Sequence, residues 1–373
     1  MNEQNNSPCD HRTIANSRFS SAVRILEDAI ADGAFPGSAF GVLADGMVLL
    51  QDARGRFTYD EGSPAVTSGT VFDVASLSKV VATTAIAMLL YQRGNLDLDA
   101  KIGGLLPDFL AGRRADDRAR DIRVRHLLAH NSGLPGYVEF FRTATTSADL
   151  LGACLTVEVE VEPGTRGEYS DPGFILLGRA LESAMSETLG AFSRREIFEL
   201  LGMRATTYCP APEVWEAIPP TEDDTTFRHR RIQGEVQDEN AWVLGGVAGH
   251  AGLFSNVPDL LRFAEEVLES ADRNSPKNNL FQATTVEVFG KRQGPADSSR
   301  ALGWDTPSAN SSSGRYFSPH SIGHLGYSGC SLWIDLDARV AVVLLTNRTW
   351  PDRKSQLIRQ VRPAFHDAIR QAI

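Results

Sequence analysis

From Arg18 to Ala31 apolar side chains return every three or four residues, the spacing of one helix face. The period then shortens. Two apolar runs, Ser38 to Leu43 and Met47 to Asp52, flank Ala44-Asp45-Gly46, a sequence suited to a tight hairpin turn, so the chain should open helix, strand, strand. The long middle returns to helical spacing at Ser76 to Arg93, Arg123 to Ala129, Ser147 to Leu155, Gly173 to Met185 and Thr188 to Leu201, with Gly/Pro loops between. Near the end, Gly329 to Asp335 and Ala338 to Thr346 read as two strands around Leu336-Asp337, and Leu357 to Ile373 as a closing helix. Strands at both ends with helices between predict an α/β (α+β) fold. One lobe would be assembled from residues 17–75 and 247–373, a mainly helical lobe (76–246) would be inserted within it, and residues 1–16 would form a disordered tail. No internal repeat is present, and the serine-rich stretch Pro307 to Ser313 reads as a loop.

Composition narrows the function classes. The 373 residues are 42% hydrophobic and 23% charged, enough to bury a sizeable core. A net charge of -10 argues against a nucleic-acid surface, since phosphate contacts need a dense basic face. The arginine run from Arg113 to Arg125 is interleaved with Asp116, Asp117 and Asp121 and reads as a salt-bridged surface. The N-terminus has no apolar signal region, and no run of about 18 uninterrupted apolar residues follows, so a cytoplasmic protein without a membrane partner is expected. Cys9, Cys154, Cys209 and Cys330 are scattered singly and read as free or buried thiols. His126 and His130 stand four apart, but no Glu gives them a His-Glu-x-x-His pattern; helix-end packing is the reading, and neither metal nor cofactor is expected.

The candidate chemistry begins at Val71-Phe-Asp-Val-Ala-Ser76-Leu-Ser-Lys79. Residues three apart on a helix share a face, so the Lys79 amine can reach the Ser76 hydroxyl. A helix start at Ser76 would also supply unpaired amides for a developing oxyanion. Two later segments complete an ordered set: Gly167-Glu-Tyr169-Ser170-Asp171, ahead of a helix, and Gly323-His324-Leu325-Gly326-Tyr327-Ser-Gly329, leading into a strand.

In order and spacing these three boxes resemble the serine β-lactamase-like superfamily, which includes class C β-lactamases, penicillin-binding D-alanyl-D-alanine peptidases and family VIII esterases. The phrases Val124-Arg-His-Leu-Leu-Ala-His-Asn-Ser-Gly-Leu-Pro135, Gly245-Gly-Val-Ala-Gly-His250-Ala-Gly, Leu302-Gly-Trp-Asp-Thr-Pro307 and Leu344-Leu-Thr-Asn-Arg348 look like the same group. The resemblance runs from about Arg18 to the C-terminus. It implies an antiparallel β-sheet flanked by helices, plus a helical lobe, with the site in the cleft. Ser76 would be the acylated nucleophile. Lys79 and Tyr169 would share its proton, and the amides of Ser76 and Tyr327 would form the oxyanion hole beside Gly326. Lysine and tyrosine are both protonated at neutral pH, so packing them together should lower one of the two.

Three departures from the usual boxes carry expectations of their own. Asp171 stands where Asn is usual; pointing inwards, it would favour charged Lys79 and make Tyr169 the better base. His324 and Leu325 replace a lysine and a threonine that hold substrate carboxylates, so weak anchoring of anions and a preference for an uncharged acyl group are expected. The resulting reading is a metal-independent serine hydrolase acting on a small-molecule carboxylic ester, or an amide. The alternatives are a β-lactamase or D-amino-acid peptidase working on cell-wall-like substrates, and a non-catalytic acyl-binding sensor.

Overall fold

The structure, a computed structural model, describes residues 18–115, 117–275 and 278–373. The tail expected at 1–16, and Cys9 within it, lie outside the described residues.

A five-stranded antiparallel sheet forms from both ends of the chain: strand Met47–Gly55 at one edge, then Gly37–Ala44, Val340–Thr346, Ser331–Asp335 and Ile322–Leu325. The first hairpin turns where expected, with both Asp45 (φ 48°) and Gly46 (φ 73°) in the left-handed region that a two-residue turn requires. The second is looser. Its ladder ends at the pair Val340 and Asp335, so four residues rather than two make the turn, and Arg339 there has φ 52°.

Gly37–Ala44 and Val340–Thr346 are buried along their whole length because both sheet faces are covered. Alternate side chains serve different cores, as the two-residue period of a strand demands. Phe40, Val42, Val342 and Leu344 pack under helices Ser20–Ala31 and Ile358–Ala372, where Phe40 meets Phe365 edge-on at 5.7 Å. Ala39, Leu43, Val343 and Leu345 face the opposite layer, which includes helix Val257–Ala271. That helix lies so close that a Cβ on Gly41 would stand 2.5 Å from Val257.

Sequence periodicity located most of this but missed Val257–Ala271, although Asn256 caps it and Pro258 lies in its first turn. The core on this face also runs on into the inserted helices, reaching Leu128, Phe174 and Leu177, so sheet and helical insert share one interior. At its centre lies the helical stretch Ala75–Gln92, 18 residues long with mean hydropathy 1.2 and 83% of it buried in the protein, apolar because it is a core helix. Cys154 and Cys330 are buried free thiols and Cys209 is an exposed one. The surface around Arg113 is ion-paired as expected, with Arg113 to Asp117 at 3.4 Å and Arg118 to Glu162 at 2.7 Å.

Candidate active site

The three boxes meet at the N-terminal end of this core helix. Strand Phe72–Asp73 pairs with Leu253–Ser255, and the Val74 amide donates to Leu253 O at 3.1 Å. Ala75 then enters the left-handed region at φ 48°, unusual for a residue with a Cβ, and its amide donates to Asp73 Oδ1 at 2.8 Å. Ser76 emerges on the following turn, half-buried, while Lys79 is fully buried. Lys79 Nζ donates to Ser76 Oγ (3.0 Å), Asp171 Oδ1 (2.7 Å) and the His250 carbonyl (3.0 Å).

The second box reaches the same ammonium. Ser170 caps helix Asp171–Met185, accepting from the Gly173 amide at 3.0 Å, and this turn presents Tyr169 and Asp171 together. Lys79 Nζ lies 4.8 Å from the centroid of the Tyr169 ring, and the phenol interacts with both Lys79 and Ser76. Alcohol, amine and phenol therefore share one cluster.

Its electrostatics differ from expectation. Burial pulls the Lys79 pKa down, but the Asp171 carboxylate and then Tyr169 outweigh it, and the net shift is upward. Burial pushes Tyr169 up as well; the Lys79 charge opposes this, Asp171 reinforces it, and the phenol too ends above its ordinary value. Asp171 points inwards and favours charged Lys79, as predicted. The predicted lowering of one partner does not occur, because burial and the extra carboxylate act together on the phenol.

In the third box His324 is buried at the end of strand Ile322–Leu325, with Nδ1 donating to Leu325 O at 2.8 Å. Burial, then Arg300 and Lys79, hold its pKa well below the usual histidine range, so it is a neutral imidazole whose Nε2 carries the lone pair. Gly326 passes so close to the nucleophile turn that a Cβ would stand 2.5 Å from Val74 O. Ser328 Oγ donates to Asp73 O at 2.8 Å, tying this box to the first. The Tyr327 amide makes no hydrogen bond among the described residues, and its side chain is exposed.

Other neighbours lie outside the three boxes, and of these the sequence singled out only the histidine pair, read as helix-end packing. His130 (φ 53°), in the turn just after helix Val124–Leu128, accepts the Ser170 amide at 2.9 Å on Nδ1 and packs 4.5 Å from the Tyr169 ring, so it buttresses the second box; His126, on that helix, accepts from the Arg123 amide at 3.2 Å. The Arg300 guanidinium stands 5.1 Å from the centroid of the Tyr169 ring. The cleft beside Ser76, about 610 Å³, also has a wall of arginines from the C-terminal segment. Among the described residues buried Arg348 donates to the carbonyls of Tyr327 (2.8 Å) and Ser355 (3.1 Å). Buried Arg362 donates to those of Gly326, Gly329 and Cys330, and burial lowers its pKa to about 10. Among the described residues no carboxylate pairs with Arg348, Arg359 or Arg362, whereas the cleft's own carboxylates have basic partners: Glu139 has Arg142, Asp171 has Lys79, Asp238 has His250, Glu239 has Arg353 and Asp305 has Arg300. The lining thus carries unpaired positive charge beside the third box. The expectation of weak anion anchoring considered only His324 and Leu325; these cations lie in the fold, beyond the boxes. A second hollow, about 680 Å³ around Gly190 and Tyr208, holds none of the box residues.

The family model described as Beta-lactamase matches residues 22–363. An N-acetylmuramyl-L-alanine amidase of Bacillus subtilis (strain 168) is 31% identical, with 87% of this chain and 80% of that protein aligned. Two solved structures share the fold. EstCE1, described as a hydrolase with promiscuous acyltransferase activity, superposes with a TM-score of 0.75 at 22% identity, covering 95% of this chain and 100% of that one. A penicillin-binding protein homologue from Caulobacter crescentus gives 0.74 at 16% identity, covering 95% and 98%.

Proposed function

This chain belongs to the beta-lactamase family, and we propose that it is a serine hydrolase that opens the amide bond of a small, carboxylate-bearing acyl substrate through an acyl-enzyme on Ser76. The observation that carries the chemistry is the contact of Lys79 Nζ with Ser76 Oγ at 3.0 Å inside a buried cluster that includes the Tyr169 phenol. Lys79 and Tyr169 titrate as a pair. At rest both are protonated, so the reactive form is the one in which the pair has lost a single proton. That form takes the Ser76 proton as Oγ attacks the carbonyl. The oxyanion is held by the amides of Ser76 and Tyr327, and Tyr169 passes the proton to the departing nitrogen. Water then opens the acyl-enzyme by the reverse proton path.

Two observations support the substrate class. The unpaired guanidiniums of Arg348, Arg359 and Arg362 suit a carboxylate in the cleft. The 31% identical relative bears the name of an amidase. Ester cleavage needs no different machinery, since an alkoxide is the easier leaving group, and activated esters are therefore convenient probes.

The test is to incubate the protein with N-acetylmuramyl-L-alanine, with its methyl ester and with an uncharged p-nitrophenyl ester, following release of each product and labelling by a fluorophosphonate. Turnover should favour the free acid over its methyl ester, and Ser76→Ala should lose both turnover and labelling. Equal turnover of acid and methyl ester, with the p-nitrophenyl ester far ahead, would return the reading to an uncharged ester. Single acylation without turnover would indicate a sensor.

A further inference from the structure

Asp73 lies three residues before Ser76 in a position that the three boxes do not use. It is 2% exposed. Its Oδ1 accepts the Ala75 amide at 2.8 Å, and its Oδ2 accepts the Gln237 amide at 2.7 Å. Its own carbonyl accepts Ser328 Oγ at 2.8 Å, and its backbone is paired with Phe254. One residue thereby ties together the turn that presents Ser76, the segment running into Asp238 on the cleft wall, and the loop that presents the Tyr327 amide. The first tie matters most, because Ala75 sits at φ 48°, where a residue with a Cβ stays only when its surroundings hold it.

We propose that Asp73 is a positioning residue: its ionised carboxylate pins the left-handed turn that carries Ser76 to the 237–238 segment and so sets the nucleophile against Lys79 and the oxyanion amides. This rests on the reading of Ser76 as nucleophile. Two backbone N–H donors converge on the two oxygens, so the deprotonated carboxyl holds both with charge-assisted bonds; protonation makes one oxygen a weaker acceptor and adds an O–H among donors. Burial is the main influence on its pKa, pushing it up to about 6 against the pull of the Gln237 and Ala75 amides, with Asp238 raising it and Arg228 lowering it. The Cys330 thiol also faces it and stays protonated, its own pKa pushed up to about 11 by burial. The clamp therefore loosens as pH falls through about 6, a range in which the Lys79–Tyr169 pair changes its charge only far up its own titration curve.

The two titrations have separable signatures. Well below the pair's pKa, the rate of Ser76 acylation rises tenfold per pH unit. Below about pH 6 the clamp adds a second proton, and the wild-type slope should approach a hundredfold per unit. The experiment measures the rate of fluorophosphonate labelling and the kcat for a p-nitrophenyl ester from pH 4.5 to 8.5, for wild type, Asp73→Asn and Ser76→Ala. Asn keeps the size but can accept only one of the two amides. Its kcat should fall about 10- to 100-fold, the scale of one charge-assisted hydrogen bond, with KM little changed and a single-proton slope throughout. A variant profile parallel to wild type, with the break near pH 6 intact, overturns the proposal. A wild-type profile with one slope from pH 4.5 to 8.5 also overturns it, and that measurement needs no variant to fold. Labelling that survives in Ser76→Ala defeats the nucleophile assignment instead, so the two failures are distinguishable.

Discussion

Asp171→Asn restores the residue usual at this position and removes one charge at nearly constant volume. The carboxylate lies 2.7 Å from Lys79 Nζ, and Lys79 is fully buried. With charge centres about 4 Å apart and an effective dielectric near 20, the attraction is roughly 4 kcal/mol, a ceiling of about 3 pKa units. Asparagine still accepts a hydrogen bond through its carbonyl, so a fall of about 1–3 units is expected for the first deprotonation of the Lys79–Tyr169 pair. The sign is fixed because Asp171 raises both members. Its removal moves the acid limb of kcat/KM to lower pH and raises the reactive fraction at pH 7, with part of that gain offset because the base is weaker. There is an opposing cost in stability. Lys79, raised in the folded state, stabilises the fold below its unfolded pKa of about 10.4 and ceases to do so as pH climbs through the folded value. In the variant that contribution shrinks at neutral pH, and breaking the buried pair costs up to about 3–5 kcal/mol. The assay is kcat/KM for a short-chain p-nitrophenyl ester between pH 5 and 10, beside thermal melts at pH 7. An acid limb that stays in place or moves upward in a folded variant refutes the electrostatic role given to Asp171.

Three further outcomes follow from the geometry. Gly326→Ala would push a Cβ to 2.5 Å from Val74 O and displace the Tyr327 amide, lowering kcat by about 10²-fold while KM changes little; steady-state kinetics on the ester decide it. Arg359→Glu reverses one unpaired charge on the cleft wall and should raise KM about tenfold for a carboxylate-bearing substrate and leave its methyl ester unaffected, a comparison that progress curves on both will settle. Trp333, fully buried on the sheet face away from the cleft and packed against Gly323 and Phe317, should cost about 3–5 kcal/mol when cut to alanine, read from urea unfolding, with labelling of Ser76 unchanged in the folded fraction.

Much of this protein could be read along the chain because the relevant forces are local. The hairpin at Asp45-Gly46 follows from turn residues that tolerate positive φ between two short apolar runs. The closing helix follows from one amphipathic face. Ser76 and Lys79 meet because helical geometry brings residues three apart into contact, and the ordered boxes were enough to pick out Tyr169 as their partner. What lay beyond reach depended on segments far apart in sequence. Helix Val257–Ala271 carried its cap and its apolar stripe, yet its close seating on Gly41 came only from packing. The protonation state of the Lys79–Tyr169 pair is a balance of burial against charges at positions 79, 169 and 171, and no short pattern contains that sum. The cationic wall is the clearest instance. Arg348 and Arg362 are ordinary arginines in the sequence, and only folding buries them beside the third box with carbonyls for partners, because a charge acquires its effect from distance and desolvation, which the tertiary structure alone supplies.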